Sequence, residues 1–356
     1  MTDIHFPAEW APQDGVQLTW PNDRGDWAPY LGQVEPVFVD IAREVASRER
    51  LLVSCYDEAH RQAVVDRLRT AGVAMEHVQL VIAPSNDTWA RDHGPISVYA
   101  DAQPRLLDFV FNGWGGKYPA EQDNQITTHL AAAGAFGGLQ PQVVDLVLEG
   151  GGVESDGEGT LMTTSSCLLA PTRNPQLSQA QLEARLGELL GVDRFLWLHT
   201  GHLEGDDTDG HIDTLARFCS PDTIAYQGCD DPQDSHYPAL RAMAEELRGF
   251  RTGAGEPYRL VELPWPKPKL DAEGRRLPAT YANFLIINGA VLVPTYRDPA
   301  DAAALEALHG CFTDREIIAI DCSALILQYG SLHCVTMQLP RGVLPAAEAE
   351  RPADFP

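Results

Sequence analysis

The 356-residue chain holds 51 acidic against 26 basic side chains, a formal charge of −25. That balance excludes nucleic acid as a partner, because phosphate binding needs clustered Lys and Arg; it suits a small cationic ligand and equally an acidic surface that merely keeps the protein soluble. No apolar run approaches the ~18 residues of a membrane span, and MTDIHFPAEW lacks the basic and apolar segments of a secretion signal.

Along the chain one pattern recurs: an apolar strand, a turn, an amphipathic helix and a second strand. The first copy begins near Val16 and takes in a helix over Val34–Ser47 and a strand over Leu51–Ser54, with an extra helix and strand inserted. The second begins near Pro95 and closes with VVDLVL. The third runs from Thr160 to His199, the fourth from near Asp222 to YRLVEL, and the fifth from Phe284 to Asp321. Starts spaced by roughly 60–80 residues predict repeated supersecondary units that bury their faces on one another; an open doubly wound sheet is the competing architecture. The Pro- and charge-rich stretch Pro264–Thr280 reads as a surface loop placed to act as a lid.

The residues with chemistry follow the closing strands. They fall in DTWARDHGP (Asp87–Pro95), LEGGGVESDGEGT (Leu148–Thr160), HTGHLEGDDTDGHIDTLARF (His199–Phe218) and YGSLHCVTMQ (Tyr329–Gln338). In a closed ring of units these loops converge near one axis. Taken singly, each has a plain structural reading: a surface turn with an ion pair around Trp89, Arg91 and Asp92, a tight turn at Gly150–Gly152, a buried thiol at Cys334. The glycines lack a phosphate-loop frame, and EGDDTDGHID has neither the twelfth-position glutamate of a calcium loop nor a zinc spacing. If the H-x-D segment is extended, His211 and Asp213 point to one face.

Seven widely spaced cysteines with no C-x-x-C pair predict reduced thiols in a cytoplasmic protein. Cys334 becomes a nucleophile only as thiolate. Nearby acids oppose that ionisation, and a cationic substrate would cancel their charge. Two carboxylates, a histidine and a cysteine suit attack on the central carbon of a guanidinium. The carboxylates grip its nitrogens, the thiolate attacks, the histidine protonates departing ammonia, and water cleaves the thiouronium without a metal or cofactor.

At these residues the chain resembles the agmatine deiminase and bacterial-type peptidylarginine deiminase family of the guanidine-modifying superfamily. The motifs are W-x-R-D-x-G-P at Trp89–Pro95, E-G-G at Glu149–Gly151, D-G-x-G-T at Asp156–Thr160, G-D-D-T-D-G-H-I-D at Gly205–Asp213 and H-C-x-T at His333–Thr336. The resemblance implies an α/β fold, a five-bladed α/β propeller (pentein) of ββαβ repeats forming a single catalytic domain over residues 1–356. It implies Cys334 as the nucleophile carrying the amidino intermediate, His211 as general acid and base, and Asp92 and Asp213 as the guanidinium ligands. Trp89 would line the substrate channel, Asp207 would contact substrate, and Glu149 would touch substrate or support the site. A homodimer is a family expectation. Typical agmatine deiminases read G-G-N-I-H-C where this chain has Tyr329-Gly330-Ser331-Leu332-His333-Cys334, and many have Asn where it has Thr214. The leading expectation is hydrolysis of agmatine to N-carbamoylputrescine and ammonia, feeding polyamine synthesis; deimination of free or peptidyl arginine is the alternative. A non-catalytic guanidinium-binding protein and a metal-dependent hydrolase using the acidic stretch are the readings from other classes.

Overall fold

The computed structural model describes residues 2–345. Five sheets of three or four strands share one plan: an antiparallel pair whose second strand leads through a helical connection to a parallel third strand. The third unit shows the physics. Val153–Ser155 pairs antiparallel with Thr160–Thr164, which pairs parallel with Arg194–Leu198. The connecting helix Gln179–Leu190 starts at a capping box between Ser178 and Gln181, stops at Gly191 (φ 70°), and buries Leu182, Leu186, Leu189 and Leu190 on one face. Burying each leucine contributes about 1.5–3 kcal/mol.

The first unit differs. Its leading strand is Thr336–Pro340 from the far end of the chain, antiparallel to Gln13–Thr19 with Gln338 opposite Val16. Its extra helix Glu58–Thr70 and strand Val78–Ile82 extend the sheet, the latter parallel to Arg50–Cys55. In the fifth unit Leu285–Ile287 folds back on Ala290–Thr295 through Asn288 and Gly289. Both of these strands are wholly apolar except Thr295 and are buried on both faces.

The expected lid segment carries its own hairpin, Lys269–Leu270 against Arg276–Leu277. Asp234 Oδ2 accepts hydrogen bonds from Trp265 Nε1 (2.9 Å) and Arg276 (3.0 Å), and Lys269 Nζ pairs with Asp298 at 2.8 Å. The segment is strapped to the fourth and fifth units. Among the described residues no helix is long and apolar enough to cross a membrane.

Candidate active site

The site is assembled from the segments that precede each unit's leading strand. The turn Ala90–His93 presents Asp92, whose Oδ1 accepts from the Gly151 backbone N–H and whose Oδ2 accepts from Trp114 Nε1, both at 3.0 Å. The turn is tied to the last segment by Arg91 N–H donating to the Cys334 carbonyl at 3.1 Å. His211 and Asp213 follow, then Cys334. All four groups are at most 5% exposed.

Gly151 shows how closely they converge. A Cβ on it would lie 2.5 Å from His211 Nδ1, 2.8 Å from Asp92 Oδ1 and 3.2 Å from Asp213 Oδ2. Only a residue without a side chain fits between the three groups. His211 Nδ1 stands 3.5 Å from Asp92 Oδ1, and its Nε2 stands 3.9 Å from Glu149 Oε2. Cys334 Sγ is 4.0 Å from Asp213 Oδ2. The Asp213 carboxylate is asymmetric: Oδ2 accepts from His333 Nδ1 at 2.7 Å, whereas Oδ1 is buried with no partner.

Cys334 opens into a cleft of ≈460 Å³ whose walls include Trp89, Asp92, Trp114, Tyr118, Asp207 and Tyr329. Asp26, Asp87 and Asp206 also line it, and among the described residues no Lys or Arg does. Trp114 and Tyr329 hold left-handed backbone, φ 55° and 68°, a cost of about 1–3 kcal/mol each for a non-glycine residue. Gly330 lies against Trp89: a Cβ there would be 2.2 Å from the indole ring. A second cavity of ≈480 Å³, bordered by Glu9, Arg91, Gly150, Glu154 and Met337, contains none of the four groups.

Burial, and then Asp213 and Asp92, push the Cys334 thiol well above its ordinary range. Burial raises Asp92 to about 6. Burial works against a charge on His211, but Asp92, Cys167 and Glu149 outweigh it and hold the imidazole well above its usual value. For Asp213 burial is likewise outweighed, here by the His333 hydrogen bond, and its carboxyl lies below the usual range. These directions favour the protonated thiol of Cys334, the protonated imidazole of His211 and the ionised carboxyl of Asp213.

Two expectations change in detail. His211 and Asp213 share the site, but not through an extended H-x-D segment. Asp209 (φ 70°) and Gly210 (φ 90°) reverse the chain, and a single 3-10 turn over Ile212–Thr214 follows His211. No residue of Pro264–Thr280 lines the cleft, so that segment is not its lid in this conformation. Asp207 lines the cleft and accepts from the Tyr118 hydroxyl at 2.8 Å. Glu149 stands behind His211, with Oε1 bound to Arg173 at 2.8 Å. Among the described residues, Glu149, Cys167 and His211 form the one His/Cys/Asp/Glu group compact enough for a metal. Arg173 already supplies the balancing positive charge there.

Sequence reasoning missed Asn283, Glu9, Trp114 and Tyr118. Asn283 had a findable signal: it precedes the leading strand of the fifth unit, the position that supplies a site group in the other four. Its Oδ1 accepts from the backbone N–H of His333 at 2.9 Å and of Cys334 at 3.3 Å. Glu9, Trp114 and Tyr118 lie outside any such position.

Fold and site together define a mixed α/β protein with an acidic cleft lined by Cys334 and Asp92, and with His211 and Asp213 packed behind that lining. Residues 5–340 match the family model for Porphyromonas-type peptidyl-arginine deiminase, and the chain belongs to that family. A solved structure from Porphyromonas gingivalis, named "Putative Arginine Deiminase", is 52% identical, covering 96% of this chain and 100% of that one, with a TM-score of 0.89. A cysteine-to-serine variant of C. jejuni agmatine deiminase, solved with substrate bound, is 35% identical over 96% of this chain and 98% of its own, with a TM-score of 0.89. The agmatine deiminase of Pseudomonas syringae pv. tomato is 34% identical over 95% of each chain.

Proposed function

We propose that the protein hydrolyses agmatine to N-carbamoylputrescine and ammonia through an amidino intermediate on Cys334. The observation that carries this reading is the acidic cleft lined by Cys334 and, among the described residues, by no Lys or Arg. A guanidinium entering it neutralises Asp92 and Asp213, and Asp213 Oδ1 is the buried acceptor without a partner. Removing the opposing charge lets the thiol ionise beside the substrate carbon.

The thiolate attacks that carbon, forming the C–S bond. His211, protonated at rest, gives its proton to one amino group, and the C–N bond breaks to release ammonia. The neutral imidazole then takes a proton from water as the water oxygen adds to the thiouronium carbon. Collapse breaks the C–S bond, restores the thiolate and releases the remaining proton of the added oxygen to solvent, leaving the neutral ureido product. Trp89 flanks the substrate chain. Asp207, with Asp206 and Asp26 near it, faces the ammonium tail. We read the five units as blades of one closed propeller, a pentein of ββαβ repeats in a single catalytic domain, supported by the union of the two chain ends in the first sheet. A cytoplasmic homodimer without nucleic-acid or membrane partners completes the reading.

The name of the 52% identical relative favours a second reading, deimination of free or peptidyl arginine. Free arginine brings a carboxylate, which the acids of the cleft would repel. Ammonia release from agmatine, arginine and a peptide ending in arginine separates the readings. Agmatine is expected to give the highest kcat/KM; turnover of the peptide without turnover of agmatine would overturn the choice.

A further inference from the structure

His333 lies between two carboxylates. Its Nδ1 is 2.7 Å from Asp213 Oδ2 and its Nε2 is 2.7 Å from Glu9 Oε2, with the ring 1% exposed. Glu9 and Asp213 are both held below the usual carboxylate range, for each against the opposing effect of burial: Glu9 by Arg217 and His333, Asp213 by His333. A bare ring nitrogen at 2.7 Å from an ionised carboxylate oxygen would set lone pair against lone pair, so with both acids ionised both nitrogens donate and the ring is an imidazolium. Burial, Arg217 and Arg91 outweigh Glu9 and Asp213 and hold His333 below its ordinary pKa; the imidazolium is inferred against that direction, from the two 2.7 Å contacts.

The rest of the surroundings fits that charge. Arg217 meets Glu9 Oε2 at 2.9 Å and also pairs with Glu154, and Arg91 stands 3.5 Å from the same Glu9 oxygen. The Ile286 backbone N–H holds Glu9 Oε1 at 2.7 Å. Among the described residues Arg217, Arg91, Glu9 and Asp213 are the charged groups that act on the ring. The Asp213 oxygen bound by His333 is also the one 4.0 Å from Cys334 Sγ, and the other oxygen has no partner.

We propose that His333 and Glu9 are positioning residues: the His333 cation caps the Asp213 oxygen that faces the sulfur, which turns the free oxygen to the guanidinium and shields the forming thiolate from the carboxylate. This rests on Cys334 as nucleophile and Asp213 as guanidinium ligand. Asn283 Oδ1 accepts from the backbone N–H of both His333 and Cys334, so one side-chain oxygen sets ring and sulfur together.

The test is the pH dependence of Cys334 alkylation by iodoacetamide without substrate, read by peptide mass spectrometry, in the wild type, Glu9→Gln and His333→Asn. Asparagine keeps a donor near the Nδ1 position without the charge. Both variants are expected to need about one pH unit more for the same rate, a tenfold slower reaction at fixed pH, with the rising limb of kcat/KM displaced equally and KM raised. Alkylation along the wild-type profile in a folded variant overturns the proposal. In the wild type, the ring 15N shifts of His333 should report two protonated nitrogens at neutral pH; a neutral ring overturns the proposal even if neither variant folds. Failure of the underlying reading is separate: it would appear as turnover that survives complete alkylation of Cys334.

Discussion

Asn283 Oδ1 stands 3.3 Å from the backbone nitrogen of Cys334 and 3.4 Å from its Sγ. The side chain that fixes the thiol therefore comes from the fifth unit, while the thiol sits in the turn just before the strand that completes the first. Asn283 also donates from Nδ2 to the Asp213 carbonyl at 3.3 Å. One buried amide thus joins three of the segments that enter the site.

Replacing Asn283 by Ala removes the side-chain acceptor of the buried Cys334 N–H and one of two acceptors of the His333 N–H, which keeps the Asn283 carbonyl at 3.2 Å. The expected cost is about 1–3 kcal/mol of stability, with a loss of kcat. Thermal unfolding and steady-state kinetics check both. Unchanged kcat would mean that the position of Cys334 does not depend on this amide.

Gly151→Ala places a methyl 2.5 Å from His211 Nδ1. The imidazole must move by about an ångström, a displacement that costs about 10²-fold in turnover. Circular dichroism should show an intact fold, since the methyl meets only side-chain atoms of the site. Activity within a few-fold of the wild type would show that His211 is not held where the proposed proton transfers need it.

Asp207→Asn tests the tail contact. A hydrogen bond between charged groups contributes about 1.5–3 kcal/mol. KM for agmatine should therefore rise about 10–100-fold with kcat little changed. A fall in kcat at constant KM would place Asp207 in the chemical step instead.

The pH profile follows from the shifts. Cys334 in the free protein is held as thiol above its ordinary range, so kcat/KM should climb as pH rises through neutrality and beyond. Asp92 ionises at about 6, so below that pH the guanidinium loses one of its anionic partners and kcat/KM falls further. Bound cation cancels the charge of both acids, and the limb of kcat should lie at lower pH than that of kcat/KM. Coincident limbs would mean that substrate charge does not assist thiol ionisation.

Much of the architecture was legible because helices and parallel strands carry local periods. The helix Gln179–Leu190 announces itself by leucines three and four residues apart, and the five unit starts fall on an observed strand or one residue before it. Short leading strands were not legible: Val153–Ser155 has three residues, too few for an alternation. The leading strand of the first sheet comes from Thr336–Pro340, and no local signal announces that it pairs with Gln13–Thr19. The same limit applied to the site. Asp92, His211, Asp213 and Cys334 sit in dense polar motifs, whereas Glu9 reaches His333 across 324 positions of sequence. The turn that unites His211 and Asp213 depends on a left-handed Asp209, which a non-glycine residue does not advertise.

The central claim is a covalent bond between Cys334 and the substrate carbon. Acid quenching during turnover of agmatine, followed by mass spectrometry, should find the amidino group on the peptide that holds Cys334. The Cys334→Ala variant should bind agmatine without turnover and yield no adduct. Turnover by that variant, or an adduct on any other residue, would contradict the account.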